Sequence, residues 1–296
     1  IDSTPGLLDT FDADTGRFGR GVWICRDQDV MWPLAVVYTL DVPGNRYHRS
    51  PELLETIMKA GDALAADADD QGRWVFRKKD NSTWGMIHMP WTYSRWIRTF
   101  GLICNDMPPD RRAAWEKALL NGYAHISKGA LGSQHNIPTH HAMGLYVAGK
   151  VLDRPEWSEQ AAQFLRKVAA SQSPNGYWSE GQGPVVVYNF VYVDAIGTYY
   201  ALSKDESVRP ALERASAFHR NFTYPDGNSV ETIDQRNPFR TSVNPGNLGF
   251  TFDPVGRAYL ASQWEHVKNK RFTPDLMASF IAYGQENLPR FLSTNH

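Results

Sequence analysis

The chain has few of the features that mark a disulfide scaffold, a membrane protein or a nucleic-acid binder. It has two cysteines, Cys25 and Cys104, among 296 residues, too few for a disulfide framework or a thiolate metal site. It has no apolar run of about 18 residues, the length that a membrane-spanning helix needs. The formal net charge is -1, without the excess of Lys and Arg of a general nucleic-acid or membrane-surface binder. We therefore expect neither nucleic acid nor a membrane as a partner.

Aromatic residues, by contrast, are abundant, with 10 Trp and 13 Tyr. Most of them must pack in the core, but amphipathic rings that line a groove also stack on the apolar faces of sugar rings. The aromatic residues in segments typical of loops or helix ends are Trp23, Trp32, Trp74, Trp84, Trp91, Trp96, Tyr177 and Trp178. The composition leaves ordinary packing and sugar binding both open.

Helix-start signals recur along the chain. A proline in the first turn, usually with an acidic neighbour, is a typical N-terminal signature of a helix. It occurs at Pro51, Pro109, Pro155, Pro210 and Pro274. The helices that follow are amphipathic with a 3.6-residue period. The segments between them are more apolar and predict partner helices at 30–40, 90–103, 142–152, 191–203 and 254–262.

Alternating amphipathic and apolar helices predict two layers. Strand signals are sparse, and the β-like run 184–193 continues into a helical pattern. We therefore predict an all-α protein, a single domain over residues 1–296 formed by an incomplete (α/α)5–6 toroid of helical hairpins, with apolar inner helices and amphipathic outer helices. An irregular helical bundle or an open solenoid is the alternative.

Four loop-like segments rich in Gly, Trp and polar residues hold the candidate site residues: 72–91, 131–141, 174–190 and 224–250. The side chains that we select as candidates are Trp84, His88, Trp91, Gln134, His135, Asn136, His140, His141, Trp178, Glu180, Tyr188, Tyr192, Arg236 and Arg240. Thr139 is expected to cap the helix that follows the second segment. Because the histidine cluster contains no carboxylate and no HExxH motif, we expect no metal.

The stretch from 134 to about 197 resembles the toroid domain of heparinase II/III-type polysaccharide lyases. Five elements carry the resemblance: Asn136 at the head of an apolar helix, the run Asp153–Trp157 at the next helix start, the Asn175-Gly176 turn, Glu180 and the later Tyr188. The family has a C-terminal β-sheet domain, and no strand-rich segment follows the last predicted helix here. We expect this domain to be absent, so that a separate β-sheet domain or a second subunit completes the cleft.

The resemblance implies a carbon–oxygen lyase that cleaves a uronic-acid polysaccharide or oligosaccharide by β-elimination. Asn136 would neutralise the substrate carboxylate, with Gln134 or a histidine assisting. Tyr188 would be the acid and a candidate base, Tyr192 the second candidate tyrosine, and His140 or His141 the base or a carboxylate neighbour. Arg236 or Arg240 would bind an acidic sugar. No cofactor is implied.

Further expectations concern location and the competing functions. Such enzymes are secreted or periplasmic, although the first residues, IDSTPGLLDT, show no signal sequence. A glycoside hydrolase of the unsaturated-uronyl type on an (α/α) barrel is the main alternative, and it would use the acids Asp80, Glu180, Asp194 or Glu231. A non-catalytic glycan-binding toroid is the alternative from another class.

Overall fold

The structure, a computed structural model, describes residues 1–181, 183–234, 241–267 and 272–284. It is mostly helical with little strand, which confirms the all-α class. Among the described residues, none of the helices has the length and apolar character needed to cross a membrane.

The elements follow one another along the chain with short connections. The helices are α1 (Thr4–Leu8), α2 (Met31–Thr39), α3 (Pro51–Asp67), α4 (Pro90–Ile103), α5 (Pro109–Gly129), α6 (Asn136–Val151), α7 (Pro155–Ala170), α8 (Val186–Ser203), α9 (Arg209–Asn221), α10 (Pro254–His266) and α11 (Pro274–Tyr283). The strands are β1 (Phe11–Asp12), β2 (Arg17–Phe18), β3 (Trp74–Arg77) and β4 (Thr83–Ile87), and 3-10 helices cover Cys25–Val30 and Leu248–Thr251.

The five helix starts predicted from proline are confirmed. Helices α3, α5, α7, α9 and α11 begin at or one residue before those prolines. Two of them carry a side-chain cap: the Ser50 hydroxyl accepts a hydrogen bond from the Leu53 N–H, and the Thr273 hydroxyl accepts one from the Leu276 N–H. These bonds satisfy backbone donors that the first turn of a helix leaves without an internal partner.

The chain divides into two compact units. Unit 1 comprises Ile1–Leu131 and Gly144–Ser158, and unit 2 comprises Gly132–Met143 and Glu159–His296. A compact unit is not by itself a domain, so the single domain over residues 1–296 stays a prediction.

Unit 1 has two layers of helices. Helices α2 and α4, most of whose residues are buried, pack against each other, whereas α3 and α5 pack against each other and against α2 and α4. Nearly every side chain of α2 is buried, from Met31 to Tyr38, while α3 buries one face that includes Leu53, Ile57 and Leu64. A helix that is apolar all round belongs inside, and a helix with one apolar stripe belongs at the surface of the core.

Unit 1 also holds a β-hairpin within the segment 72–91. Strands β3 and β4 pair antiparallel, with Trp74 opposite Ile87 and Val75 opposite Met86, and the register shifts between Val75 and Arg77. The indole of Trp74 is buried and donates to the Leu64 carbonyl at 3.0 Å. The prediction of a loop here is therefore wrong over the two strands.

Unit 2 is organised around α8. This helix is buried along most of its length and packs against α9 and the 3-10 helix Leu248–Thr251. The close approach depends on glycine, because a Cβ on Gly197 would lie 2.4 Å from the Cα of Gly249. The first two turns of α8 present Asn189 and Tyr192, which hydrogen-bond to Trp178 and Glu180 of the third candidate segment.

Candidate functional site

The centre of the candidate site in unit 2 is the carboxylate of Glu180. Its Oε1 atom accepts a hydrogen bond from the backbone N–H of Asn136 at 2.9 Å and another from the hydroxyl of Tyr192 at 2.5 Å. The Glu180 side chain is 9% exposed. One nearly buried oxygen thus joins the head of α6 to the middle of α8.

The position of Glu180 follows from the electrostatics of a helix start. Helix α6 begins at Asn136, so this N–H has no acceptor within the helix. The partial positive charge of a helix N-terminus favours an anion beside it. Glu180 supplies both the acceptor and the negative charge.

The prediction that Thr139 caps α6 is wrong. The helix begins three residues earlier, and Thr139 lies inside its first turn, where its hydroxyl donates back to the His135 carbonyl at 2.7 Å. Its side chain is fully buried. The head of α6 is held from outside the helix, by Glu180.

Tyr192 is held by a ring stack and by the hydrogen bond of its hydroxyl to Glu180. Its ring stacks on the indole of Trp178, with centroids 5.0 Å apart and planes 7° from parallel. Trp178 is fixed in turn, because its Nε1–H donates to the Val168 carbonyl at 2.8 Å and its backbone N–H donates to Oδ1 of Asn189 at 2.7 Å. Burial first, and then the bond to Glu180, raise the pKa of the Tyr192 hydroxyl far above its ordinary value. Tyr192 is therefore a neutral donor that positions Glu180.

The three histidines of the second segment lie in different environments. The His135 side chain is 54% exposed, and its Nδ1 lies 3.7 Å from Oε2 of Glu180. His140 and His141 are buried within α6, at 1% and 4% exposure. His135 is thus the histidine of this cluster that solvent or a ligand can reach beside the carboxylate.

Tyr188 lies one helical turn before Tyr192 on α8 and is half-buried. Residues four apart on a helix share a face, with Cβ atoms about 6 Å apart. Asn136 is 9% exposed at the head of α6, and Gln134 is exposed just before it. We define the Glu180 cluster as Glu180 with its direct neighbours His135, Asn136 and Tyr192; Tyr188 borders it along α8.

The candidate residues of the first segment lie in unit 1. Trp84 on β4 is 69% exposed, and the Lys78 ammonium sits 4.2 Å above the centre of its ring. The guanidinium of Arg26 lies 5.1 Å from the ring of Trp91. These two indoles each have a cation beside them, which is a favourable arrangement in its own right.

His88 is the other unit 1 candidate. Its Nε2 lies 2.8 Å from the Gln71 carbonyl, and its ring stacks on that of His125 with centroids 6.2 Å apart. Burial is the main reason that the pKa of His88 is lowered. His88 is therefore set up as a neutral hydrogen-bonding ring in unit 1.

The two candidate arginines, Arg236 and Arg240, lie outside the described residues. Within the ranges that the structure does describe, no group of three or more His, Cys, Asp or Glu side chains is placed to hold a metal ion.

Sequence reasoning missed two polar residues that build the site. Asn189, fully buried, donates from Nδ2 to the carbonyls of Trp178 and Val185 at 3.1 Å each. The Asp234 carboxylate, 6% exposed, accepts from the Val186 N–H at 2.8 Å and so holds the first turn of α8. A lone Asn in an apolar helix is a usable signal for a buried polar contact, whereas nothing near Asp234 in the sequence points to residue 186.

No model of a protein family matches the chain, and a search of curated proteins finds no match either. The resemblance to heparinase II/III-type lyases stays a prediction.

Proposed function

We propose that the protein is a polysaccharide lyase that cleaves a uronic-acid glycan by β-elimination, and that its helices form an incomplete (α/α) toroid. The observation that carries the proposal is the Glu180 cluster, which fixes Asn136 and the tyrosine-bearing face of α8 to one carboxylate oxygen. The two-layer packing of unit 1 supports the toroid.

In the proposed reaction, a base removes the proton at C5 of the uronate, which lies α to the carboxylate. The electron pair forms the C4–C5 double bond as the bond from C4 to the glycosidic oxygen breaks, and an acid protonates the leaving oxygen. The transition state carries extra negative charge on the substrate carboxylate, so a donor that meets that charge lowers the barrier. The Asn136 amide has this role in the proposal.

Tyr188 is the proposed acid and base. It is half-buried at the start of α8, whereas the hydroxyl of Tyr192 donates its hydrogen bond to Glu180. His135 is the proposed neighbour of the substrate carboxylate, because it is the most exposed of the three clustered histidines. His140 and His141, buried in α6, stay secondary candidates for proton transfer.

The negative charge of Glu180 is compatible with an acidic substrate. Two donors converge on Oε1, and the His135 ring lies near Oε2. These contacts stabilise the carboxylate and leave Glu180 a positioning residue. The same contacts weigh against the hydrolase alternative, which needs a pair of carboxyl groups free to exchange protons on either side of the sugar.

The test is a screen for the ultraviolet absorbance of the new conjugated double bond on alginate, glucuronan, glycosaminoglycans and uronate-bearing plant and algal glycans. We expect Tyr188→Phe to lower the rate at least about 100-fold, the usual share of a positioned proton-transfer group. Asn136→Ala should lower it by about 100- to 1,000-fold, as loss of a transition-state donor does. Tyr224→Phe, at an exposed tyrosine outside the cluster, is the matched control.

Three results would count against the proposal. Reducing ends that appear without new absorbance would indicate the hydrolase. Glycan binding that Asn136→Ala weakens, with no substrate turned over, would indicate the non-catalytic module. Full eliminase activity in both Tyr188→Phe and Asn136→Ala would show that the site is elsewhere.

A further inference from the structure

A concave site apart from the Glu180 cluster lies in unit 2. It is a cavity of about 790 Å³ between α9, the turn at Pro174–Tyr177 and the segment near Thr232. This volume falls within the range of about 300–1,000 Å³ typical of small-molecule sites. Of the described residues that line it, none belongs to the Glu180 cluster.

The wall formed by the turn is fixed tightly to α9. Gly176 has φ +88°, and a Cβ there would lie 2.2 Å from the Arg214 carbonyl oxygen. The buried side chain of Gln172 donates to the carbonyls of Gly176 and Ala211, at 3.1 and 2.9 Å. The cavity is therefore bordered by a turn that is hydrogen-bonded in place.

One charged side chain, Arg214, is found among the described lining residues, and no carboxylate is. Its Nε donates to Oε1 of Gln172 at 2.9 Å, which orients the guanidinium through a neutral partner. Across the described part of the chain, no acidic side chain forms an ion pair with Arg214. A guanidinium held this way at a cavity is suited to binding a carboxylate in a two-pronged contact.

The remaining wall suits a sugar ring. Tyr177 and Phe218 lie with ring centroids 5.6 Å apart, and Phe222 adds a third aromatic surface. The amides of Asn175 and Asn221 also line the cavity and can hydrogen-bond hydroxyl groups. The aromatic rings suit the apolar faces of a sugar ring, the amides suit its hydroxyl groups, and the guanidinium suits the carboxylate of a uronic acid.

We infer that this cavity is a second binding site, specific for an acidic sugar residue, with Arg214 as the carboxylate ligand and Tyr177 as a stacking platform. Neighbouring side chains separate it from the Glu180 cluster: Tyr177 contacts Phe218 of α9, whereas Trp178 stacks on Tyr192 of α8. The inference concerns binding alone and does not depend on lyase activity.

The experiment titrates the 296-residue chain with glucuronate, glucose and acetate and follows the tyrosine ring signals by NMR. Tyr177 reports on the cavity and Tyr188 on the Glu180 cluster in the same sample, each assigned by its Tyr→Phe variant. We expect glucuronate to shift Tyr177 with a lower Kd than glucose or acetate, because only glucuronate has both the ring and the charge.

Variants on one helix supply the matched comparison. Arg214→Gln should raise the Kd for glucuronate read at Tyr177 about tenfold, the usual effect of losing a charged hydrogen bond. Arg220→Gln removes an exposed charge from the same helix, outside the cavity, and should change it by less than about twofold. Asn136→Ala should leave the Tyr177 response unchanged.

The inference is overturned if Tyr177 does not respond to glucuronate, if acetate or glucose binds as well, or if Arg214→Gln has no effect. It is also overturned if Asn136→Ala abolishes the Tyr177 response, because binding would then belong to the Glu180 cluster. A silent Tyr188 beside a responding Tyr177 would show that the second site binds glucuronate independently of the Glu180 cluster.

Discussion

Removing the Glu180 carboxylate should destabilise unit 2. In Glu180→Ala, the Asn136 N–H and the Tyr192 hydroxyl both lose their acceptor, and Tyr192 is fully buried. A hydrogen bond to a charged group contributes about 1.5–3 kcal/mol. Two such bonds set an upper range of about 3–6 kcal/mol, and water that enters the small exposed edge of the site lowers it, so we expect a loss of about 3 kcal/mol.

Glu180→Gln is the conservative comparison. Both donors meet the same oxygen, Oε1, so an amide oxygen there keeps both bonds and gives up only their charge. The amide NH₂ then replaces Oε2 beside His135. We expect Glu180→Gln to cost about 1–2 kcal/mol, because each of the two bonds loses the difference between a charged and a neutral acceptor and water lowers the total as it does for Glu180→Ala.

Urea unfolding monitored by Trp fluorescence gives the free energy of unfolding, and amide hydrogen exchange gives the local effect. In Glu180→Ala, the Asn136 amide should lose protection. A double-mutant cycle with Tyr192→Phe should show coupling of about 1 kcal/mol or more, because the two side chains are in contact. Equal costs for the Ala and Gln variants, or an unchanged Asn136 exchange rate, would refute the assignment of Glu180 as the acceptor that joins α6 to α8.

Two further predictions concern other parts of unit 2. Burial lowers the pKa of His219 to about 3, so below about pH 6.5 the unfolded chain takes up a proton that the folded chain does not. The free energy of unfolding should therefore fall as the pH drops from about 6.5 towards 3, by up to about 1.4 kcal/mol per pH unit. In His219→Phe, the urea midpoints measured across this range should depend less on pH. If the free energy of unfolding of His219→Phe depended on pH as steeply as that of the unmodified chain, His219 would not be the group responsible. Gly176→Ala should cost about 2 kcal/mol or more, because it combines a positive φ with a clash at the Arg214 carbonyl; Gly129→Ala, with open space around the added carbon, is the control, and equal melting temperatures would contradict the clash.

Local signals in the sequence were sufficient for most of the helices. A proline in the first turn needs no distant partner, since its ring sets φ and its missing N–H is not required there. Helices such as α3 and α11 therefore begin where the sequence predicts. The apolar segment 90–103 also matches α4 at both ends.

Tertiary contacts explain the elements that the sequence did not predict. The run at 184–193 has a β-like composition but lies largely in α8, because a helix buried on all sides also requires apolar side chains all round. Helix α6 begins at Asn136, six residues before the predicted segment, because its first N–H is bonded by Glu180. The polar residues in the turn between β3 and β4 led to the prediction of a loop instead of a hairpin.

The sequence was sufficient to select residues of the candidate site, but it did not predict the contacts between them. Asn136, Glu180, Tyr188 and Tyr192 could each be selected from the sequence. No local pattern specifies that one oxygen of Glu180 serves both a backbone N–H and a tyrosine hydroxyl. That arrangement depends on how the loop before α8 packs in the folded unit.

The Glu180 anchor also has a consequence for the order in which the chain acquires its structure. The N–H at the head of α6 has its acceptor 44 residues later in the sequence, and that carboxylate has its second donor on the helix after it. During synthesis from the N-terminus, α6 therefore emerges before the group that holds its first turn. The head of α6 reaches its final geometry only once the loop and α8 have been made, so a chain stopped before residue 180 lacks this anchor.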